Sequence, residues 1–158
     1  MECELFLSSK LSHKALGEVL ESIVKSMLNE EIFVTDNVDE IHIACKYFSM
    51  DIEIEDISDL SFVGSHYELY VNKTIRILVF GNSFKLGLNY LFEVIGKLIK
   101  VVKGNLLLLE NGSDQLIRKE KDILVINSEL NEYQSKYLSK NLIKLLDYPY
   151  IEKKLSIK

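Results

Sequence analysis

The sequence predicts a single α+β domain in which helices pack on one face of a largely antiparallel sheet, giving two layers. Segments with a strand pattern outnumber those with a helix pattern, and several of them follow one another directly, which is typical of antiparallel sheets and not of a doubly wound parallel sheet. Two long segments, 12–29 and 82–102, carry apolar residues at steps of three and four, as on one face of a helix. A chain of 158 residues with 47 % apolar and 27 % charged residues fits one domain, residues 1–158, with one core.

The first half of the chain predicts a strand, a helix and then several strands. Strands are predicted where apolar and polar residues alternate, as in Cys3-Glu4-Leu5. Ser12 is the predicted N-cap of the first helix, because its side chain can accept a hydrogen bond from an early helical N–H. In order, the predicted elements are a strand over 3–7, a helix over 12–29, strands over 32–35 and 41–47 joined by an Asp36-Asn37 turn, an edge strand or ordered loop within 49–65, and a hairpin of strands 66–71 and 74–80.

The second half is predicted to begin with the helix around which the domain packs, Asn82 to Val102. Gly81-Asn82-Ser83 supplies a turn and an N-cap, and Gly104 is the predicted helix end. The apolar face comprises Leu88, Leu91, Phe92, Ile95, Leu98, Ile99 and Val102. The remaining predicted elements are strands 105–110 and 115–118 joined by an Asn111-Gly112 turn, a strand over 123–126, a helix over 130–146 and a tail of uncertain order over 147–158.

Composition restricts the possible functions. The net charge of −5 argues against a general nucleic-acid-binding protein, since phosphate contacts need clustered Lys and Arg. Cys3 and Cys45 lie in apolar segments and are predicted to be two buried thiols rather than a disulfide. The N-terminus is acidic, unlike a signal peptide, and no apolar run reaches a membrane-spanning length, so the cytoplasm is the expected compartment.

Negative charge is concentrated in the segment Glu30 to Asp59, which contains ten acidic residues and one base, Lys46, for a net charge of −9. One interpretation is a solvated sheet edge, where alternating acids prevent unwanted pairing. The other is a negative surface that attracts a basic protein, with nearby aromatic residues contacting its Arg and Lys side chains. On the second interpretation the predicted partner-binding residues are Asp36, Asp39, Glu40, Tyr47, Asp51, Glu53, Glu55, Asp56, Asp59, Tyr67 and Tyr70.

Catalytic and metal-binding interpretations have weaker support. The acids of Asp51 to Asp56 lack the glycine and terminal Glu of a calcium loop. A nucleophilic pair of Cys45 and His66 has no third group beside it in any motif. Gly81-Asn82-Ser83 is a single turn before a helix and is better interpreted as structural than as an anion site. The sequence therefore predicts no catalytic, metal-binding or cofactor-binding residues and no cofactor.

The segment Gly104 to Asn127 resembles a bacterial immunity family. It contains NLLLLENGSDQLIR over 105–118 and KDILVIN over 121–127, which form a hairpin followed by an apolar strand ending in Asn. This pattern is similar to immunity proteins of the Sit type, the partners of swarm-inhibition and related polymorphic toxins of contact-dependent inhibition systems. The resemblance implies a protein that binds a cognate toxin domain in the same cell and blocks it. It implies no catalytic residue, because these families share none.

Together these observations predict a non-enzymatic immunity protein that neutralises a basic toxin domain, with a nuclease as the expected kind. The expected partner is that toxin, with no nucleic acid and no membrane, and a monomer is favoured over a homodimer. The alternative is an acidic secretion chaperone of the type III kind, normally dimeric, which would hold an effector segment on an exposed apolar sheet face. A small enzyme with an unrecognised site is the third possibility, and a pocket with convergent polar groups would favour it.

Overall fold

The computed structural model describes residues 1–55 and 57–155 of the chain. Within them, nine strands form one sheet in the order β2-β3-β4-β5-β1-β6-β7-β8-β9. The strands are β1 Glu2–Leu7, β2 Phe33–Asp36, β3 Glu40–Ala44, β4 Phe48–Glu53, β5 Lys73–Val79, β6 Leu106–Glu110, β7 Asp114–Glu120, β8 Ile123–Asn127 and β9 Tyr150–Lys153. The helices are α1 His13–Met27, α2 Ile57–His66, α3 Phe84–Val101, α4 Glu132–Ser135 and α5 Lys140–Leu145, with short 3-10 turns at Gly81–Ser83 and Lys136–Leu138. Every neighbouring pair is antiparallel except β8 and β9, which confirms the predicted α+β class and the largely antiparallel sheet.

One face of the sheet, called here the inner face, carries the main core. Leu5, Ile75 and Ile52 lie side by side on neighbouring strands and are almost fully buried. Helices α1, α3 and α5 cover this face, and their apolar residues belong to the same core cluster. Burial of these apolar side chains is the principal favourable contribution to folding.

The opposite face, called here the outer face, is covered only in part, by α2 and the segment that follows it. Val63 of α2 packs with Phe6 and Leu107, whose neighbours along each strand point to the inner face. Leu69 and Val71 complete this smaller apolar cluster. The prediction that helices pack on one face is therefore correct for α1, α3 and α5 and wrong for α2, where the domain has three layers.

The region after β3 differs most from the sequence prediction. Residues 48–53 form β4, an interior strand between β3 and β5, rather than an edge strand or loop, because the β2–β3 hairpin lies outside it. Residues 57–66 form α2, which was not predicted. The predicted hairpin of 66–71 with 74–80 is wrong, since β5 pairs with β4 and β1. Burial of the apolar residues of 67–71 against the outer face takes the place of strand pairing.

The C-terminal region is also more ordered than predicted. A single helix over 130–146 was expected, but α4 and α5 are separate, and Ser139 Oγ accepts a hydrogen bond from Leu142 N to begin α5. The predicted tail contains β9, which pairs with β8 in parallel. The remainder of that predicted tail, 156–158, lies outside the described residues.

Several local predictions are confirmed. Ser12 Oγ accepts from Ala15 N at 3.1 Å, as expected of the N-cap of α1. Asn111 and Gly112 have φ of 52° and 75°, the left-handed values that an Asn-Gly hairpin turn requires. The start of α3 differs, because the 3-10 turn over Gly81–Ser83 leads into the helix in place of the predicted side-chain cap.

Candidate functional site

The outer face of β1, β3, β4 and β5 carries a row of charged side chains that the described helices cover only in part, where α2 approaches Arg76. The register places His42 beside Asp51, Asp51 beside Arg76, and Arg76 beside Glu4 on four neighbouring strands. Two residues further along the same two strands, Glu40 of β3 lies opposite Glu53 of β4 on the same face. Because directly opposed residues point to the same side of a sheet, these side chains form one continuous charged surface.

Arg76 lies at the centre of this surface. Its Nε is 3.2 Å from Glu53 Oε1 on β4, and its Nη2 is 3.5 Å from Asp59 Oδ2 on α2. The Arg76 side chain is 57 % exposed, so each ion pair is screened by water and stabilises the fold by no more than about 1 kcal/mol. Arg76 therefore organises the surrounding carboxylates without neutralising all of them.

His42 is the second basic group on this surface. Its Nδ1 contacts Asp51 Oδ1, and both side chains are partly exposed. This contact holds the Asp51 carboxylate on the outer face, between the imidazole on one side and Arg76 on the other. It thus fixes the orientation of one carboxylate at the rim of the cleft described next.

A cleft of about 630 Å³ lies between α2 and the charged row. Its charged lining residues are Glu2, Glu4, Asp51, Asp59 and Arg76, and its apolar lining residues include Phe6, Phe62, Leu78 and Leu109. Four carboxylates and one guanidinium give the cleft a net negative charge. Carboxylates beside apolar and aromatic walls suit a Lys or Arg side chain, whose stem packs on the walls while its charged end meets the carboxylates.

Apart from Asp56, the predicted acidic partner-binding residues separate into three groups. Glu40, Asp51, Glu53 and Asp59 are brought together on the outer face. Asp39 and Glu55 are exposed, in the β2–β3 turn and in the bend after β4. Asp36 is exposed at the end of β2, but its register opposite Ile41 directs it to the inner side. Asp56 lies outside the described residues.

The predicted tyrosines do not form the aromatic part of this surface. Tyr47 is only 6 % exposed and packs against Tyr90, and Tyr67 is buried in the outer-face cluster with its hydroxyl donating to Ser113 O. The sequence prediction that Tyr47 and Tyr67 contact a partner is therefore corrected, because both rings are buried within the domain. Tyr70 is exposed, but it lines a different cleft beside Lys10 and Lys103.

Sequence reasoning assigned no role to Arg76 or His42 and missed part of the acids at the site. Both bases lie within strands whose alternation places them opposite the apolar face, so the pattern already puts them on the outer face. Glu2 and Glu4 were outside the acidic segment and come to it only because β1 lies beside β5. Phe62 is 47 % exposed on α2 and supplies an aromatic group at the cleft.

The two cysteines and His66 are placed unfavourably for nucleophilic chemistry. Burial raises the pKa of the Cys3 thiol to about 12, so the thiolate is scarce at neutral pH. Cys45 belongs to the inner-face core, whereas His66 stacks on Phe62 at the outer face, so the two cannot form a nucleophilic pair. Both cysteines are free and buried, as predicted. Among residues 1–55 and 57–155, no group of three or more His, Cys, Asp or Glu is arranged to hold a metal ion.

Comparison with known proteins gives no match for this chain among protein-family models, curated proteins or solved structures. In the described part of the chain, no helix has both the length and the apolar character needed to cross a membrane.

Proposed function

We propose that the chain is an immunity protein that binds and neutralises a cognate antibacterial toxin domain through its acidic outer face. The observation that carries this proposal is the gathering of Glu40, Asp51, Glu53 and Asp59 with Glu4 on one open face beside a cleft of about 630 Å³. The resemblance of residues 104–127 to Sit-type immunity proteins supports the same function. We propose that the protein acts in the cytoplasm, as a monomer, and catalyses no reaction.

The negative charge of the outer face favours a toxin with a basic binding surface. Toxins that cleave RNA or DNA need a basic cleft to hold phosphates, and a surface of closely spaced carboxylates can occupy such a cleft in their place. Rim carboxylates such as Glu40 accelerate association through long-range attraction, while desolvated ones in the outer-face cleft contribute most of the affinity. Arg76 keeps the carboxylates in fixed positions, which lowers the entropy lost when the toxin binds.

The contact set proposed from the structure is smaller than the set proposed from the sequence. It retains Glu40, Asp51, Glu53 and Asp59, and it replaces the two buried tyrosines with Phe62. On β1, β3, β4 and β5 the uncovered outer face is mainly charged, whereas a secretion chaperone needs a contiguous apolar surface for an unfolded segment. The character of this face therefore favours the immunity function over the chaperone.

The test is a neutralisation and binding experiment with a candidate toxin, the C-terminal domain of a large secreted protein that we expect to be encoded beside this chain. The triple variant Asp51→Asn, Glu53→Gln and Asp59→Asn removes three carboxylates with little change in shape. We expect it to weaken binding by more than about tenfold and to flatten the salt dependence of the dissociation constant, because fewer charges are screened. Cells producing the toxin domain should survive with the wild-type chain and lose most of that protection with the triple variant.

The matched control removes three exposed carboxylates away from the outer face: Glu18→Gln, Glu132→Gln and Glu152→Gln. This control has the same net charge as the test variant, so it separates a local contact from an effect of total charge. We expect its affinity to stay within about twofold of wild type. A wild-type chain that neither binds nor neutralises the adjacent toxin would refute the proposed function, and equal losses in both variants would refute the outer face as its site.

A further inference from the structure

Strand β2 forms one edge of the sheet, and half of its backbone groups have no strand partner among the described residues. The register pairs Phe33 with Ala44 and Thr35 with His42, and Asn37 N donates to Glu40 O at the end of the hairpin. In an antiparallel pair the hydrogen-bonded positions alternate, so Phe33, Thr35 and Asn37 direct their N–H and C=O groups toward β3. The intervening residues must direct theirs away from the sheet.

Those intervening residues are Val34 and Asp36. Their N–H and C=O groups form a row along the open edge, spaced as an incoming strand requires. All four residues of β2 are exposed, so no helix or loop among residues 1–55 and 57–155 covers the edge. The backbone of β2 is therefore available for pairing with a further strand.

The side chains near this edge are unusually apolar for a sheet edge that has no partner strand among the described residues. Phe33 is 58 % exposed, and Val34 and, in the turn, Val38 are also exposed. Natural sheets commonly protect a free edge with charged side chains, Lys above all, or with Pro. Strand β2 carries one charged residue, Asp36, and the sequence contains no Lys, Arg or Pro between Lys25 and Lys46. The composition thus resembles a strand that is completed by another polypeptide.

The charge around β2 indicates which polypeptide fits. Glu30, Glu31, Asp36 and Asp39 lie within or beside the strand and are exposed. Two β2 strands from two copies of this chain would bring these carboxylates together and repel each other. A strand with Lys or Arg at its exposed positions would instead be attracted, and its backbone would pair with Val34 and Asp36.

We propose that β2 accepts a basic β-strand of the toxin, which extends the sheet past Val34 and Asp36. The inference rests on the proposed function for the identity of the partner, and it adds a second contact region beside the acidic outer face. Main-chain hydrogen bonds would supply affinity, and the surrounding carboxylates would select a basic sequence, as in other cases of strand addition. Phe33 and Thr35 would contact alternate side chains on the outer side of the added strand.

The first test uses a short capped peptide of alternating lysine and valine as the probe, with alternating glutamate and valine as its matched control. Amide hydrogen exchange of the complete chain is followed by NMR. We expect the basic peptide to slow exchange at Val34 and Asp36 by more than about tenfold, and the acidic peptide to leave it unchanged. Unchanged exchange at both amides in saturating basic peptide would overturn the proposal. Protection of the same two amides without peptide, in a sample with the mass of a dimer, would also overturn it, because β2 would then pair with a second copy of this chain.

The second test uses Val34→Pro, which removes one outward N–H without breaking a hydrogen bond to β3, with Val34→Thr as the control that keeps the N–H. Protected amides at Phe33 and Thr35 verify that the hairpin remains folded. We expect Val34→Pro to weaken toxin binding by about tenfold or more and Val34→Thr to weaken it by less than about threefold. If Val34→Pro neutralises the toxin fully while the outer-face triple variant does not, the added strand is refuted and the proposed function stands.

Discussion

Gly104 and Ser8 approach each other so closely that no side chain fits at position 104. A Cβ built on Gly104 would lie 1.8 Å from the carbonyl oxygen of Ser8 and 2.4 Å from its Oγ. The same Oγ accepts from Asn105 N, so the end of β1 and the start of β6 are joined at this point. The sequence suggested that Gly104 ends a helix, but the backbone φ of Gly104 is not left-handed, and the close approach is the reason for the glycine.

We therefore expect Gly104→Ala to lower the free energy of unfolding by about 3 kcal/mol or more, because the atom it meets is a backbone oxygen that cannot rotate away. Gly64→Ala is the matched control, since a Cβ on Gly64 in α2 meets no atom within 4 Å. That variant should be more stable than wild type by about 0.5 to 1 kcal/mol, as alanine is the better helix former. Urea denaturation measures both, and equal stabilities for the two variants would contradict the packing interpretation.

Lys119 is a buried lysine on the inner face of β7, only 2 % exposed. Its Nζ donates to Gly104 O at 2.9 Å and to Lys103 O at 3.3 Å, and it lies 3.6 Å from Asp122 Oδ1. The ammonium thereby satisfies carbonyl groups in the segment that follows α3. A side chain of similar length without a donor would leave these carbonyl groups without their partner.

For this reason Lys119→Met should lower the free energy of unfolding by about 2 kcal/mol, the usual scale for hydrogen bonds to a charged group. Lys97→Met serves as the control, because Lys97 is exposed on α3 and its replacement should change stability by less than about 0.5 kcal/mol. Chemical denaturation compares the two variants directly. A stability for Lys119→Met within error of the control would show that the buried ammonium adds no net stability.

His13, the first residue of α1, makes stability depend on pH. Burial, together with the nearby Lys73 ammonium, lowers the pKa of His13 below its ordinary value of 6.5. Between that lowered pKa and 6.5 the unfolded chain binds more protons than the folded chain, so the free energy of unfolding falls as the pH drops through this window. At pH values more than about one unit above 6.5 the imidazole is almost entirely neutral in both states and contributes little pH dependence.

His13→Asn should remove this part of the acid-induced loss of stability. We expect the decrease in unfolding free energy between about pH 7.5 and pH 5 to be smaller for the variant than for wild type. Urea denaturation at a series of pH values gives both profiles. Profiles that run parallel over the whole range would show that His13 titrates identically in the folded and unfolded states.

Much of the local structure was predictable because it depends on neighbouring residues. The alternation around Leu5 predicts β1, the cap at Ser12 begins α1, and the Asn111-Gly112 turn joins β6 to β7, each through contacts within a few residues. Residues 48–66 were misassigned because β4 pairs with a strand along both of its edges although its acids suggested a free edge, and because α2 has only a weak amphipathic pattern. Their conformations depend on partners elsewhere in the chain.

The same division applies to the candidate site. The sequence alone determined that negative charge is concentrated between Glu30 and Asp59, because charge is a property of composition. Only the tertiary structure decided that Arg76 and Glu4 join Asp51 and Glu53 on one face, and that Tyr47 and Tyr67 are buried. The physical reason is that strand order and register arise from burying the inner face as a whole, and these long-range pairings have no counterpart in the spacing of residues along the chain.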